Sequence, residues 1–390
     1  MNVTHRTDKD ILYISLTGRI DASNASLVQE EVWNIRSENQ GKHTVIDADK
    51  LDYISSAGLR MILKLRKEEP GLAIINTSPG VYEILDMTGF TDMVTIEKAY
   101  PQMSIEGCEF LAKGANGAVY RYDEETIIKT YYAKDALPEI KQERENARLA
   151  FVLGINTAIP YGIVRVGDGY GTVTELLNAE SVTKIIRKNP DNLTEAVGYF
   201  VDMLKSIHAI VVDDNVVPDM KETAIRWAEF VSEHLPEESG KKLVALINSL
   251  PKKNTLLHGD YHSSNIMVQN GEPLLIDMDT LCMGHPVFEL ASMFNAYVGF
   301  GEFAPEEITN FFDISIETAN RFWDLSLKKY LDTDDEAKCK SVAVKAEVIG
   351  YLRLLRRALR RPDDSNSSAK VRIYTEKLVN ALNRVDTLDF

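Results

Sequence analysis

The stretch His258-Gly259-Asp260-Tyr261-His262-Ser263-Ser264-Asn265-Ile266-Met267-Val268-Gln269-Asn270-Gly271-Glu272-Pro273-Leu274-Leu275-Ile276-Asp277-Met278-Asp279 decides how this chain is read. The apolar run Thr255-Leu256-Leu257 delivers His258-Gly259-Asp260 to the end of a buried segment, and Asn265 follows Asp260 by five residues. Ile266-Met267-Val268 and Leu274-Leu275-Ile276 read as two short strands around Asn270-Gly271, a strong two-residue hairpin signal. Such a hairpin ends at Asp277 and folds it back beside Asp260 and Asn265.

Those three side chains suit phosphoryl transfer from a nucleotide. The chemistry needs a carboxylate to orient an attacking hydroxyl and oxygen ligands to hold Mg²⁺ on the phosphates. Asp260 fits the first role; Asn265 and Asp277 fit the second. The arrangement resembles the catalytic loop of the protein-kinase-like superfamily, in the form carried by aminoglycoside phosphotransferases and choline kinases. There the loop reads HGD and the metal carboxylate sits in an ID-x-D/E context, as in Ile276-Asp277-Met278-Asp279. The resemblance implies ATP and Mg²⁺ as cofactors. An ordinary polar loop explains a lone HGD; it does not explain HGD, the asparagine and ID-x-D within one hairpin.

Working upstream, Glu109-Phe110-Leu111-Ala112 and Ala118-Val119-Tyr120-Arg121 flank Lys113-Gly114-Ala115-Asn116-Gly117. This reads as a hairpin whose glycines let backbone amides approach phosphates. Thr126-Ile127-Ile128-Lys129 follows as a third strand. The segment resembles a kinase N-lobe, which implies nucleotide contacts at Gly114, Asn116 and Gly117 and places Lys129 on the α- and β-phosphates. The resemblance also calls for a helix glutamate to hold that lysine. A helix over residues 138–153 offers Glu139, Glu143 and Glu145; Glu143 shares a face with the small residues Ala147 and Ala150 and is preferred, with Glu145 left open. A further hairpin around Gly167-Asp168-Gly169 ends at Glu175-Leu176-Leu177. The resemblance puts the interlobe hinge there, with backbone groups of Glu175 to Leu177 offered to adenine.

From Asn192 the pattern is helical. His208 lies on the apolar stripe of Val197, Phe200, Val201, Leu204 and Ile207 and reads as structural. Glu289 stands where the family usually has the shorter aspartate that supports the catalytic loop. Arg353, Arg356, Arg357, Arg360 and Arg361 read as a solvated helix face, with a docking site for a phosphate-bearing partner as the alternative.

The first hundred residues alternate strand-like and helix-like segments, which implies a small α/β domain with a largely parallel sheet. Strands are expected at 11–16, 44–47, 72–75 and 93–96, with three amphipathic helices between them. The join Asp47-Ala48-Asp49-Lys50-Leu51-Asp52-Tyr53-Ile54-Ser55-Ser56-Ala57-Gly58 looks like the STAS domain of anti-sigma-factor antagonists. That resemblance implies a protein-binding module and makes Ser56 the regulatory phosphorylation site, although Ser55 replaces the usual preceding aspartate. Helix capping is the competing job for these serines.

Composition agrees with a multidomain globular chain: 390 residues, 44% hydrophobic and 26% charged. No apolar run is long enough to cross a bilayer, the first residues are polar, and the three cysteines are scattered, which fits a reducing cytoplasm. A net charge of −15 argues against nucleic acid or anionic membrane as a partner and suits a cationic substrate. The expected architecture is an α/β STAS domain over 1–100, then an α+β bilobal kinase-like domain over 104–390. Its antiparallel-sheet N-lobe covers about 104–177 and its mainly helical C-lobe 178–390. The expected activity is ATP- and Mg²⁺-dependent transfer to a small-molecule hydroxyl, with acidic C-lobe residues receiving an amine-bearing acceptor. The segment between Asp279 and Pro286 is too short for a protein kinase's activation loop, which favours that reading. The alternative is a signalling kinase that phosphorylates a protein serine, Ser56 included.

Overall fold

The computed structural model describes residues 1–114, 116–134, 136–158, 160–361 and 366–390. Two compact units appear, Met1–Ser104 and Ile105–Phe390. In the first, strands Asn2–Asp8, Ile11–Ile20, His43–Ile54, Ala73–Thr77 and Thr95–Lys98 form one sheet in that order. The first pair is antiparallel and the others parallel. Parallel neighbours need crossovers, and helices Ala25–Glu38, Ser56–Glu68 and Pro79–Met87 supply them. Val28, Val32, Leu59, Ile62, Leu65 and Leu85 from these helices share one core with Ile14, Ile46 and Ile74 from the strands.

Three details depart from expectation. Asn2–Asp8 is a strand although only Val3 of its residues is buried; it is an edge strand, held by main-chain pairing rather than by an apolar face. The strand expected over 44–47 runs from His43 to Ile54, because register shifts against Ile11–Ile20 carry Leu51 and Ile54 into the core. The last strand starts at Thr95, beyond the exposed Met93.

In the second unit, Glu109–Lys113, Gly117–Arg121, Thr126–Tyr131, Gly169–Glu175 and Pro160–Val166 lie side by side in that order, every pair antiparallel. Helix Leu137–Val152 follows the third of these strands. The remainder is mainly helical and holds the larger core, where the Phe200 ring meets Tyr261 at 4.8 Å and Phe322 at 4.9 Å. No helix among the described residues is long and apolar enough to cross a membrane.

The 258–279 stretch hangs on this helical lobe. Strand Thr255–Leu257 pairs with Cys282–Gly284 and so closes the segment at its base. Between them Ile266–Gln269 and Glu272–Leu275 pair antiparallel, with Gln269 opposite Glu272. Asn270 and Gly271 take φ of 53° and 83°, the left-handed pair that a two-residue hairpin turn requires. Gly259 has φ +86°, and a Cβ there would stand 2.4 Å from the Thr280 carbonyl oxygen, so no larger residue fits.

Glu289, in helix Val287–Phe294, is fully buried. It accepts hydrogen bonds from the backbone N–H of His258 at 2.5 Å and of Gly259 at 3.0 Å. Burial pushes its carboxyl upward, but His208, His258 and the His258 amide outweigh that and hold its pKa below the ordinary value. The glutamate is therefore long enough to brace both amides of the loop. His208 acts as a support, its Nδ1 2.7 Å from the Tyr330 hydroxyl and its Nε2 4.0 Å from Glu289.

Removing this brace orphans two buried amides. Glu289→Ala is expected to cost on the order of 3 kcal/mol in urea unfolding of the full chain. A change within about 0.5 kcal/mol, the range of an ordinary surface substitution, would show that the loop is held by something else.

Candidate active site

Alternation along Thr126–Tyr131 buries Ile128 in the sheet and turns Lys129 and Tyr131 to the other face. Lys129 Nζ donates to Glu143 Oε1 at 2.7 Å and to Asp277 Oδ1 at 3.2 Å. The Tyr131 hydroxyl donates to Glu143 Oε2 at 2.7 Å, so both oxygens of that glutamate are engaged. Burial pulls the Lys129 ammonium down in pKa, but Asp277 and then Glu143 outweigh it and hold it above its usual range. Of the helix glutamates, Glu143 is thus the one that meets the lysine. Glu145 sits instead 3.7 Å from Arg148 and 3.9 Å from Arg144, and Glu139 is exposed. Asn146, one turn on from Glu143, donates to the Met278 carbonyl at 2.9 Å and fastens the helix to the loop carrying Asp277.

Asp277 has φ 64° and ψ 70°, a left-handed conformation that costs a non-glycine residue energy and is tolerated where surrounding bonds impose it. The Ile276 N–H, donated to the Asn265 carbonyl at 2.9 Å, is one such bond, and it sets Asp277 beside Asn265. Asn265 Nδ2 donates to the Asp260 carbonyl at 3.1 Å, while its Oδ1 accepts no hydrogen bond among the described residues. No group of three or more His, Cys, Asp or Glu side chains among the described residues could hold a metal unaided. Mg²⁺ does not need one: it takes one or two protein oxygens and completes its octahedron with phosphate and water. Asn265 and Asp277 fit that donor set.

The Asp260 side chain is about half exposed and opens on a cavity of about 1080 Å³. His262 Nε2 stands 3.8 Å from Asp260 Oδ2, and its ring meets those of Phe311 and Phe312 edge-on at 5.3 and 5.8 Å. Burial lowers the His262 pKa despite the neighbouring Asp260. Sequence reading assigned His262 no role. The available signal was its spacing two residues after Asp260, which in extended chain places both on one face.

Along the glycine turn, the Gly114 N–H donates to the Gly117 carbonyl at 2.9 Å. A Cβ at Gly117 would lie 1.9 Å from the Thr130 carbonyl oxygen, so the close strand approach admits only glycine. Asn116 is exposed, and Ala115 lies outside the described residues. Glu175 ends its strand and Leu177 follows half-buried; between them the Leu176 N–H is taken by the Glu125 carbonyl at 2.7 Å.

The five arginines read as a solvated face line the cavity instead, beside Asp260 and His262. Helix Glu336–Leu359 carries the first three, and Arg360 and Arg361 follow its end. Arg353 and Arg356 lie over the Trp227 ring, 5.9 and 4.8 Å from its centre, and Arg357 lies 5.7 Å from that of Phe300. The acidic pocket expected for an amine-bearing acceptor is therefore absent among the described lining residues. Asp260 and Glu307 are the carboxylates there, and Glu307 has Lys370 at 3.7 Å. The net negative charge is spread over the chain and does not collect at this cavity.

In the Met1–Ser104 unit, Ser55 caps helix Ser56–Glu68, its hydroxyl accepting from the Gly58 N–H at 3.5 Å. Ser56 is exposed at the first helical position. A Cβ on Gly58 would come within 2.6 Å of Ile54, so the helix start packs tightly on the sheet.

Residues 107–318 match the phosphotransferase enzyme family and residues 2–103 match the STAS domain. The anti-sigma F factor antagonist of Paenibacillus polymyxa is 27% identical over 92 residues, which is 23% of this chain and 79% of that protein. The ADP-bound aminoglycoside phosphotransferase APH(2'')-Ib has a TM-score of 0.48 at 15% identity, over 77% of this chain and 98% of that one. A choline/ethanolamine kinase family protein from Mesorhizobium loti has a TM-score of 0.44 at 13% identity, over 72% and 88%. With more than half of its residues matched, the chain belongs to the phosphotransferase enzyme family, and it carries a STAS domain ahead of its phosphotransferase part.

Proposed function

We propose that the Ile105–Phe390 unit transfers the γ-phosphoryl group of ATP to a hydroxyl of a small molecule, with Mg²⁺, and that the STAS domain serves as its regulatory or partner-binding module. One observation carries this reading: Lys129 is bonded to both Glu143 and Asp277, while Asp260 from the same loop and hairpin opens on a cavity. Lys129, positioned by Glu143, holds the α- and β-phosphates. The backbone at Gly114, Asn116 and Gly117 covers the phosphates, and the chain from Glu175 to Leu177 borders the base. Asn265 and Asp277 hold Mg²⁺, which when bound neutralises charge on the phosphates. Asp260 orients the acceptor hydroxyl and takes its proton as the new O–P bond forms and the bond to ADP breaks. The Glu289 brace fixes where Asp260 stands.

Asp260→Asn is expected to lower kcat by about 10²–10⁴-fold with nucleotide affinity retained. Asp277→Ala is expected to weaken Mg²⁺-nucleotide binding as well. ADP release across a panel of hydroxyl acceptors, with nucleotide titrations alongside, checks both. Full turnover by Asp260→Asn would remove the catalytic assignment.

A second reading is favoured by one specific feature. Ser55 does the capping, which leaves the exposed Ser56 hydroxyl free to accept a phosphate at a helix N-terminus, where free N–H groups favour it. The kinase unit then acts on Ser56, and the modification changes how the STAS domain binds an anti-sigma-type partner. Incubation with Mg·ATP followed by intact-mass and peptide analysis tests it, with Asp260→Asn as control. One added phosphoryl group at Ser56, lost in the control, is the expected result; an unmodified Ser56 ends this reading.

A further inference from the structure

The cavity beside Asp260 has a charge pattern that the proposed transfer chemistry does not require. Five guanidinium groups, those of Arg353, Arg356, Arg357, Arg360 and Arg361, line it. None of them is salt-bridged to a carboxylate among the described residues. Cations near a helix C-terminus do complement its dipole, but one or two suffice for that. They would also point to solvent rather than share a cavity wall with the aspartate of the catalytic loop.

The N-terminal part of the row is held in place as well as charged. Arg353 places Nη1 and Nη2 each 3.4 Å from the Gly259 carbonyl oxygen, so one end of the row touches the loop that carries Asp260. Arg356 stacks on Trp227 and Arg357 lies near Phe300, which restrains long side chains before any ligand arrives. Arg353 to Arg360 covers two helical turns, about 10 Å of rise. Burial, then the charges of Arg360 and Arg353, push the Arg356 pKa below its usual value, as expected for crowded like charges with no carboxylate paired to them among the described residues. Guanidinium forks match carboxylate and phosphate oxygens in pairs, and a phosphate ester, with about two negative charges and three acceptor oxygens, engages more of such a row than a carboxylate does.

Building on the reading of Asp260 as the residue that orients the acceptor hydroxyl, we propose that the acceptor is a phosphorylated hydroxy compound of the sugar- or polyol-phosphate class. Its phosphate is held by Arg356, Arg357 and Arg360 and its free hydroxyl is presented to Asp260. The hydroxyl oxygen bonds to the γ-phosphorus, the bond to ADP breaks, and the proton passes to Asp260. The product carries a second phosphate.

Calorimetric titration of the full chain saturated with Mg·ADP tests this. Glycerol phosphate, glucose phosphate and ribose phosphate are each compared with their unphosphorylated parents, with ethanolamine, choline and inorganic phosphate alongside. At least one phosphate ester is expected to bind about tenfold or more tightly than its parent and than inorganic phosphate. Arg356→Gln and Arg360→Gln are each expected to abolish that preference while Mg·ADP affinity is unchanged. The exposed Arg360 serves as the second variant should Arg356, packed on Trp227, disturb folding. Equal binding of esters and parents, tighter binding of the amino-alcohols, inorganic phosphate binding as tightly as the esters, or a preference that survives both substitutions overturns the inference. Turnover of an uncharged or cationic acceptor alone leaves the kinase reading standing and removes this one. Arginine-dependent ester binding with no ATP consumed on any acceptor supports the anion site and removes the kinase reading.

Discussion

A carboxylate without access to water governs the geometry of this site. Glu289 is fully buried, and a charge in that position is tolerable only if fixed dipoles and cations replace its hydration. The amides of His258 and Gly259 do so directly, and the imidazoles of His208 and His258 add to them. Satisfying the glutamate and shaping the loop are therefore the same event. With those two amides tied down, Gly259 adopts its left-handed turn against Thr280 and Asp260 is left facing the cavity. The His258 ring completes the frame, its Nε2 3.1 Å from the Ile276 carbonyl, so the strand leading to Asp277 is held by the same residue.

Much of this was legible because the decisive features are local. Asn270-Gly271 between two apolar triplets specifies a hairpin whatever surrounds it, and the hairpin alone brings Asp277 to Asn265. Lys129 was readable from its place on the third strand of a segment that resembles a kinase N-lobe. Questions of facing were legible only as preferences or were left open. Glu143 was preferred from the face it shares with Ala147 and Ala150, but Glu145 sits two residues on along the same helix, and the docking of that helix, Asn146 onto Met278 included, turns Glu143 inward. The edge strand Asn2–Asp8 escaped because it buries almost no side chain. Whether a longer glutamate could replace the usual aspartate at position 289 depended on the distance between two chain segments, which no local pattern encodes.

The arginine row shows the same limit most clearly. Basic residues at helical spacing look identical in sequence whether the face meets water or a cavity. The difference lies in where Trp227 and the 258–262 loop pack, tens of residues away. Net charge misled for a related reason. A sum over 390 residues says nothing about a wall built from five of them, since fields inside a cleft are set by the nearest groups rather than the total.

The residues around the lysine and the arginine row also come from separate parts of the chain. Lys129, Glu143, Asp260, Asn265 and Asp277 all fall within the family-matched residues 107–318, whereas the arginine row lies on a helix that begins at Glu336. Substitutions along that one helix would change the charge of the cavity wall without touching the residues around the lysine, while Trp227, Phe300, Ile308 and Phe312 keep the rest of its shape.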